Sequence, residues 1–327
     1  MTQPRITTTA QLLAAIPALL GYVPADSGSF VVIALETDPA GTAVVKLVTR
    51  TTSEDAAQAS TTSTLSGALA NNGITAVIVV TIAAPGLRSH AVIEHMLALR
   101  ELSRTTEVIG SYYLPTLAEA TTGENLDTGD LVHVDPYASE VAADHIADGK
   151  PIERRRDAIA ARYQQGEHIP AAENADPAQV LEELAAVIYA DELPDRDLIA
   201  RTAAVITTIP VRDAMFRLAL YGRISAWTAM ATIARHSHGD ARIQVLCLAG
   251  WLAHTIGNGP DAGSAYEAAH AHAAETGHST PRLLDLLDTA LNSGLDPKIA
   301  RDLTAGLSAD EVRASTGAHL PGAPDRN

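Results

Sequence analysis

The residues best placed to do chemistry lie near the start of the chain. They fall in Ile16-Pro17-Ala18-Leu19-Leu20-Gly21-Tyr22-Val23-Pro24-Ala25-Asp26-Ser27, which runs directly into Phe30-Val31-Val32-Ile33-Ala34-Leu35. Two prolines, a glycine, an aromatic and an Asp-Ser pair share one helix-to-strand connection. Pro24 fixes the dihedral leading into the turn, so Asp26 and Ser27 can present side-chain oxygens at a sheet end. Three uses of those oxygens are open. They can bond nearby amides as an Asx or Ser turn and organise the loop. They can contact a ligand, with Tyr22 adding a stacking face or a hydroxyl. Or Ser27 can act as a nucleophile, for which no nearby histidine supplies the base. A phosphate loop is disfavoured, because the turn Asp26-Ser27-Gly28-Ser29 leads into a strand and not into a helix N-terminus.

Other reactive residues are scattered. Among the 12 histidines the closest pairs are His236/His238 and His270/His272. Two side chains at i, i+2 on a helix diverge by about 200°, so His270 and His272 do not share a metal. His236 and His238 sit at a helix end near Asp240, where a loop can converge them, but no third and fourth ligands are indicated. No metal site is expected. Cys247, the only cysteine, lies in the apolar run Val245-Leu246-Cys247-Leu248 and reads as a small core residue. Arg212-Asp213 follows Pro210 and reads as a helix start, with Asp213 complementing the helix dipole. Ligand contact by Arg212, or pairing between domains, is the alternative. Tyr112 is a further candidate for ligand contact. Walker A, G-x-G-x-x-G, H-E-x-x-H and G-x-S-x-G motifs are all missing, so no cofactor is assigned.

The elements that must position these residues follow from composition and pattern. The chain has 327 residues, 46% hydrophobic but only 4% aromatic, so its core is built from Ala, Val, Ile and Leu. Lys46, Lys150 and Lys298 are the only lysines among 23 basic residues, which points to a high-GC coding bias. A formal net charge of −16 repels a phosphate backbone, so no nucleic-acid partner is expected. The basic cluster Arg154-Arg155-Arg156 reads as a solvated helix face, or else as a small anion site. The N-terminal residues lack a basic region followed by an apolar one, and no apolar run approaches the ~20 residues of a membrane helix. A cytoplasmic protein with no membrane partner is expected.

Thr8 followed by Gln11 reads as a capping box opening a helix over Thr9–Leu20, which Pro17 kinks or splits and Gly21 ends. A hairpin follows: Phe30–Glu36, a turn at Asp38-Pro39-Ala40-Gly41, and Ala43–Thr49. Ser53 is expected to cap a helix reaching Asn71-Asn72-Gly73. Thr75–Ile82 has the β-branched apolar run of a central strand. A helix over Ser89–Arg104 and a strand over Glu107–Leu114 come next. Thr121-Thr122-Gly123-Glu124-Asn125 reads as turn-forming, and Leu131–Val134 as one more short strand. From Tyr137 onward the pattern is helical only. Helices are expected over Pro177–Ala190, Asp195–Thr207, Val211–Leu220, Ile224–Arg235, Arg242–Ile256, Gly263–Glu275 and Pro281–Asn292, with a frayed tail from Pro321. This gives an α/β (or α+β) domain with a mixed sheet over 1–150 and an all-α helical domain over 151–327. Leu246, Ala249, Gly250, Ala253, Gly257, Ala262, Tyr266 and Ala269 have the spacing of a tetratricopeptide-like helical hairpin over 243–276. Arrays need about three such units and only one is found, so an ordinary antiparallel helix pair is the favoured reading and a helical-repeat-like binding surface the alternative.

Two segments carry a family resemblance. One is Leu12–Ser27. The other comprises Leu248-Ala249-Gly250-Trp251-Leu252-Ala253, Gly257-Asn258-Gly259, Ala265-Tyr266-Glu267-Ala268-Ala269, Leu283-Leu284-Asp285-Leu286-Leu287 and Leu291-Asn292-Ser293-Gly294-Leu295. Together they resemble the actinobacterial domain of unknown function DUF4192, also found in some actinobacteriophages. Relatives resemble one another around a Ser-Tyr segment followed by cysteines. Here Gly110-Ser111-Tyr112-Tyr113 keeps the pair and the cysteines are absent. The resemblance implies a fold and no reaction. The expected function is a protein-interaction or small-ligand-binding module. The alternative is a hydrolase-like enzyme with its site at residues 22–27.

Overall fold

The computed structural model describes residues 6–37, 43–74 and 76–323. The turn expected at Asp38–Gly41, the start of a strand at Thr75, and the tail beyond residue 323 lie outside them. The chain forms two compact units, Met1–Arg156 and Asp157–Asn327.

The first unit holds α1 (Thr9–Ala14), α2 (Ile16–Leu20), β1 (Ser27–Thr37), β2 (Ala43–Thr52), α3 (Ser53–Ala56), α4 (Ala59–Asn71), β3 (Ala76–Ala83), α5 (Arg88–Leu102), β4 (Glu107–Leu114), β5 (Thr121–Asn125), β6 (Leu131–Val134) and α6 (Glu140–Ala147). The capping box is present: Thr8 accepts from the Gln11 amide and Gln11 reaches back. Pro17 falls in the first turn of α2, where a missing donor costs nothing, so the expected helix is split at Ala15. Gly21 ends α2 at φ 73°, a left-handed conformation that favours glycine.

The strands form one six-stranded mixed sheet in the order β2-β1-β3-β4-β5-β6. Among the described residues β3 and β4 are the one parallel pair of strands in this sheet, and α5 is the crossover that such a pair requires. Alternation along the strands sends Phe30, Val32, Ala34, Val77 and Val79 to one face. There they pack with Ala56, Leu69, Ala98 and Leu102 of α3, α4 and α5. The intervening Val31, Ile33, Val80 and Ile82 are equally buried.

Several local expectations are corrected. Thr52, not Ser53, caps α3, accepting from the Asp55 amide, and the expected single helix breaks into α3 and α4. Thr121–Asn125 is strand β5 and not a turn. Gly123 is there because β5 approaches β4 closely: a Cβ on it would lie 2.3 Å from Leu114 Cδ2 and 2.5 Å from the Tyr113 carbonyl oxygen. The Arg154-Arg155-Arg156 cluster is exposed, but only Arg156 is helical: it opens the helix Arg156–Arg162, and Arg154 and Arg155 precede it.

The second unit is helical: α7 (Arg156–Arg162), α8 (Pro177–Tyr189), α9 (Arg196–Val205), α10 (Ile209–Met215), α11 (Arg223–His236), α12 (Gly239–Thr255), α13 (Gly259–Thr276), α14 (Arg282–Asn292), α15 (Pro297–Ala305) and α16 (Ala309–Thr316). Helix α12 is buried at every position from Arg242 to Thr255, with α11, α13, α14 and α15 packed around it. The helix expected over Val211–Leu220 begins earlier, at Ile209, and tightens to a 3₁₀ turn from Phe216. Residues 321–323 are tied down, not frayed. The Arg217 guanidinium donates to the carbonyls of Leu307, Leu320 and Pro321, and the Ala323 amide donates to the Leu220 carbonyl.

Helix α12 meets α13 through a small-to-large contact. A Cβ on Gly250 would lie 2.3 Å from Cε1 of Tyr266, a ring that is fully buried and has nowhere to move. Gly250→Ala is therefore expected to destabilise the second unit by about 1–3 kcal/mol through overpacking. The urea midpoint followed by tryptophan fluorescence checks this. An unchanged midpoint would mean that the contact is not tight.

Candidate functional site

The loop after α2 is held by backbone bonds before any side chain acts. The Val23 amide donates to the Glu153 carbonyl and the Glu153 amide to the Gly21 carbonyl, at 2.8 and 2.9 Å, forming a short parallel bridge at Tyr22. The Ala84 amide donates to the Asp26 carbonyl at 2.7 Å. Gly28, at φ 111°, lies where the β1–β3 register shifts between Ser27 and Ser29, so it is a bulge glycine. This geometry turns Ser29, not Ser27, into the polar centre of the loop. Ser29 is fully buried. Its hydroxyl donates to the Ala25 carbonyl at 2.7 Å and accepts from Arg50 Nε and Nη2 at 3.1 and 3.0 Å.

The residues singled out from sequence are not brought together by this loop. Asp26 and Ser27 are exposed, and among the described residues their side chains make no hydrogen bond. Tyr22 is buried and so presents no stacking face to solvent. Burial raises its hydroxyl pKa, an effect that the positive charges of Arg50 and Arg156 oppose. Tyr112 is buried on β4, and its hydroxyl accepts from Asn125 Nδ2 at 3.5 Å. Arg212 belongs to the second unit, in the last turn of α10 and not at a helix start as expected. Its Nε and Nη2 donate to Asp213 Oδ1 at 2.9 and 2.7 Å, and Nη1 to Gln244 Oε1 at 3.3 Å. Cys247 is buried in α12, and burial pushes its thiol up to about 12, which removes it as a nucleophile at neutral pH.

Three groups that sequence reasoning missed are better organised. In the first unit, His95 of α5 bridges two strands. Its Nδ1 lies 2.7 Å from Thr81 Oγ1 on β3, and its Nε2 lies 2.7 Å from Ser111 Oγ on β4. A neutral imidazole donates through one nitrogen and accepts through the other, so one hydroxyl receives a proton from the ring and the other gives one. Burial holds His95 down at about 4. The Ser-His spacing is that of a nucleophile and its base, but all three side chains are at or near zero exposure. The triad therefore fixes α5 to the sheet.

In the second unit, Asp261 gathers Arg162, Tyr163 and Asn258 around its carboxylate. A third group, His168, His238 and His272, comes together from three separated stretches of chain. Only the last includes histidines noted in the sequence, and it pairs them differently: His238 meets His272 and not His236. Among the described residues no three His, Cys, Asp or Glu side chains converge as a metal site.

A shallow depression of about 210 Å³ lies between α1, β6 and α6, lined by Ile6, Ala10, His133, Asp135, Ser139 and Glu140 among others. Its polar rim is occupied by local work. Asp135 accepts from the Tyr137 amide and Ser139 from the Ala142 amide.

Comparison with known proteins bears on family and not on activity. A family model described as Domain of unknown function (DUF4192) matches residues 10–186 and 169–298. No curated protein and no solved structure gives a significant match.

Proposed function

The chain belongs to the DUF4192 family, and from that premise, which brings no activity with it, we propose that the protein is a protein-interaction module. The outer face of α5 carries this reading. Ile93, Met96 and Leu97 are 61, 53 and 43% exposed, at the i, i+3, i+4 spacing that makes one stripe. On the other side of the helix Ala91, His95, Ala98 and Leu102 are buried. A helix that is apolar on both sides is ordinarily covered on both sides, and a contiguous exposed stripe marks an interaction site.

The depression between α1, β6 and α6 lends little support to small-ligand binding there. The depression of about 210 Å³ falls below the ~300–1,000 Å³ of ordinary ligand sites. The hydrolase alternative at residues 22–27 draws less support, because Asp26 and Ser27 are exposed without a base and Tyr22 is buried. We read α12 and α13 as a tetratricopeptide-like hairpin through the Gly250–Tyr266 contact. Since α12 is buried along its length, that hairpin serves as the packing unit of the second unit and not as its docking groove. The partner is a protein with an apolar surface. The net charge of −16 disfavours nucleic acid, and among the described residues no helix is long and apolar enough to cross a membrane.

A photo-crosslinking amino acid at Met96 of the full chain tests this in cells. A discrete protein adduct is expected, and it should be lost when Ile93→Asp and Leu97→Asp are added without change in circular dichroism. Adducts that persist in the double variant, or none above background, would sink the reading.

A further inference from the structure

The three histidines of the second unit form a row that runs from the core to the surface. His238, the N-cap residue of α12, has its ring centroid 5.1 Å from that of His272 on α13 and 5.4 Å from that of His168. His272 is buried, and its Nε2 has no hydrogen-bond partner. His238 and His168 are exposed. Arg242 lies one turn into α12, itself buried. It donates through Nη1 to the Ala234 carbonyl and through Nη2 to the Tyr163 carbonyl at 2.6 Å, while its Nε is unpartnered.

The segment that carries His168 is laid against the end of α11 by few bonds. The Gly166 amide donates to the Arg235 carbonyl at 2.8 Å and the Ile169 amide to the His236 carbonyl at 2.9 Å. His236 Nδ1 donates to the Glu167 carbonyl at 2.8 Å.

We propose that the His168–His238–His272 row is an acid-operated latch: neutral imidazoles keep residues 164–170 seated on α11, and protonating the row releases them. Ring contact that is favourable between neutral imidazoles becomes like-charge repulsion once two of them are protonated. The surroundings of His272 are mostly positive. Arg242 and the positive end of α12 face it, His238 touches it, and His278 also acts on it, with Glu275 as the opposing charge. His278 Nε2 lies close to Gly239, at the start of α12. On the segment itself Glu167 is paired with Arg196, and Arg235 and His236 face Gly166.

Burial first, then Arg242 and His238, holds the pKa of His272 below its usual value. A histidine depressed in the folded state gives stability that is full above the unfolded pKa of about 6.5 and is lost as pH falls below it. The latch therefore opens on the acid side of neutrality.

Hydrogen exchange of the full chain at pH 7.5 and 5.5, corrected for intrinsic rates, tests the latch. Protection of residues 164–170 is expected to fall at least about tenfold on acidification, while Leu246–Leu252 in the core of α12 stays protected. His272→Gln should flatten that dependence. His238→Gln, at an exposed position, should do the same and guards against a folding defect in the first variant. Equal loss across the second unit, no loss in 164–170, or wild-type pH dependence in His238→Gln would overturn the proposal.

Discussion

Asp261→Ala is expected to lower the stability of the second unit by about 3–5 kcal/mol, the cost of breaking a buried ion pair from one side. Asp261 is 1% exposed. Its Oδ2 accepts from Arg162 Nη1 at 2.7 Å and from Asn258 Nδ2 at 2.8 Å, and its Oδ1 accepts from the Tyr163 hydroxyl at 3.0 Å. Tyr163 in turn accepts from Trp227 Nε1 at 2.9 Å, and the Arg162 guanidinium lies 5.7 Å from the Trp227 ring centre. One carboxylate thus joins α7, α11 and the first turn of α13. Burial raises its pKa, while Arg162 and the hydrogen bonds lower it. Alanine leaves a buried phenol without its acceptor and the guanidinium without this carboxylate. Asp261→Asn keeps the shape and removes the charge, so it should cost less than alanine. Both tryptophans of the chain, Trp227 and Trp251, lie in this unit, so their fluorescence in urea reports it directly. A loss below about 1 kcal/mol would mean that water or neighbours replace the carboxylate.

The legible part of the fold was the part encoded locally. The Thr8/Gln11 capping box, the left-handed Gly21, the β-branched run that became β3 and the strand Glu107–Leu114 all rest on residues within a few positions of one another. The local pattern misleads where a distant contact decides. Gly123 reads as a turn glycine until β4 is seen to need the space of its missing side chain. The helices α15 and α16 are short and mostly polar, with Ile299, Leu303 and Val312 as their large apolar residues. They are held partly through Trp251, which donates to Thr304, and through Arg217, which binds carbonyls flanking α16.

The candidate site shows the same limit more sharply. Tyr22, Asp26 and Ser27 are adjacent in sequence, yet the loop is organised by Ser29 and by Arg50 from the neighbouring strand. Thr81, His95 and Ser111 are far apart in sequence, so no spacing rule links them. The one available signal was a histidine on the face of α5 that Ala91, Ala98 and Leu102 bury. The histidine row was hidden for the same reason, since His168, His238 and His272 come from a loop, a helix cap and a second helix.

Acidification is expected to remove roughly 3 kcal/mol from the first unit between pH 6.5 and about 4, through His95 alone. Burial holds this imidazole at about 4 against the ordinary 6.5. Below pH 6.5 the unfolded chain takes up a proton that the folded chain refuses, so stability falls with pH until the folded pKa is reached. Both ring nitrogens already serve hydroxyls at 2.7 Å, and a second ring proton would force Thr81 and Ser111 both to act as acceptors. His95→Leu alone leaves those buried hydroxyls unpaired, at about 1–3 kcal/mol each. Replacing the whole network, as Thr81→Val, His95→Leu and Ser111→Ala together, removes donors and acceptors alike and should be close to neutral at pH 7. The triple variant is therefore expected to match the wild type at neutral pH and to exceed it at pH 4.5. Hydrogen-exchange protection of β3 and β4 reads this unit apart from the tryptophans of the other. If wild type and triple variant lose protection in parallel, the acid sensitivity belongs to other groups, and His145, also lowered by burial in this unit, is the next to replace.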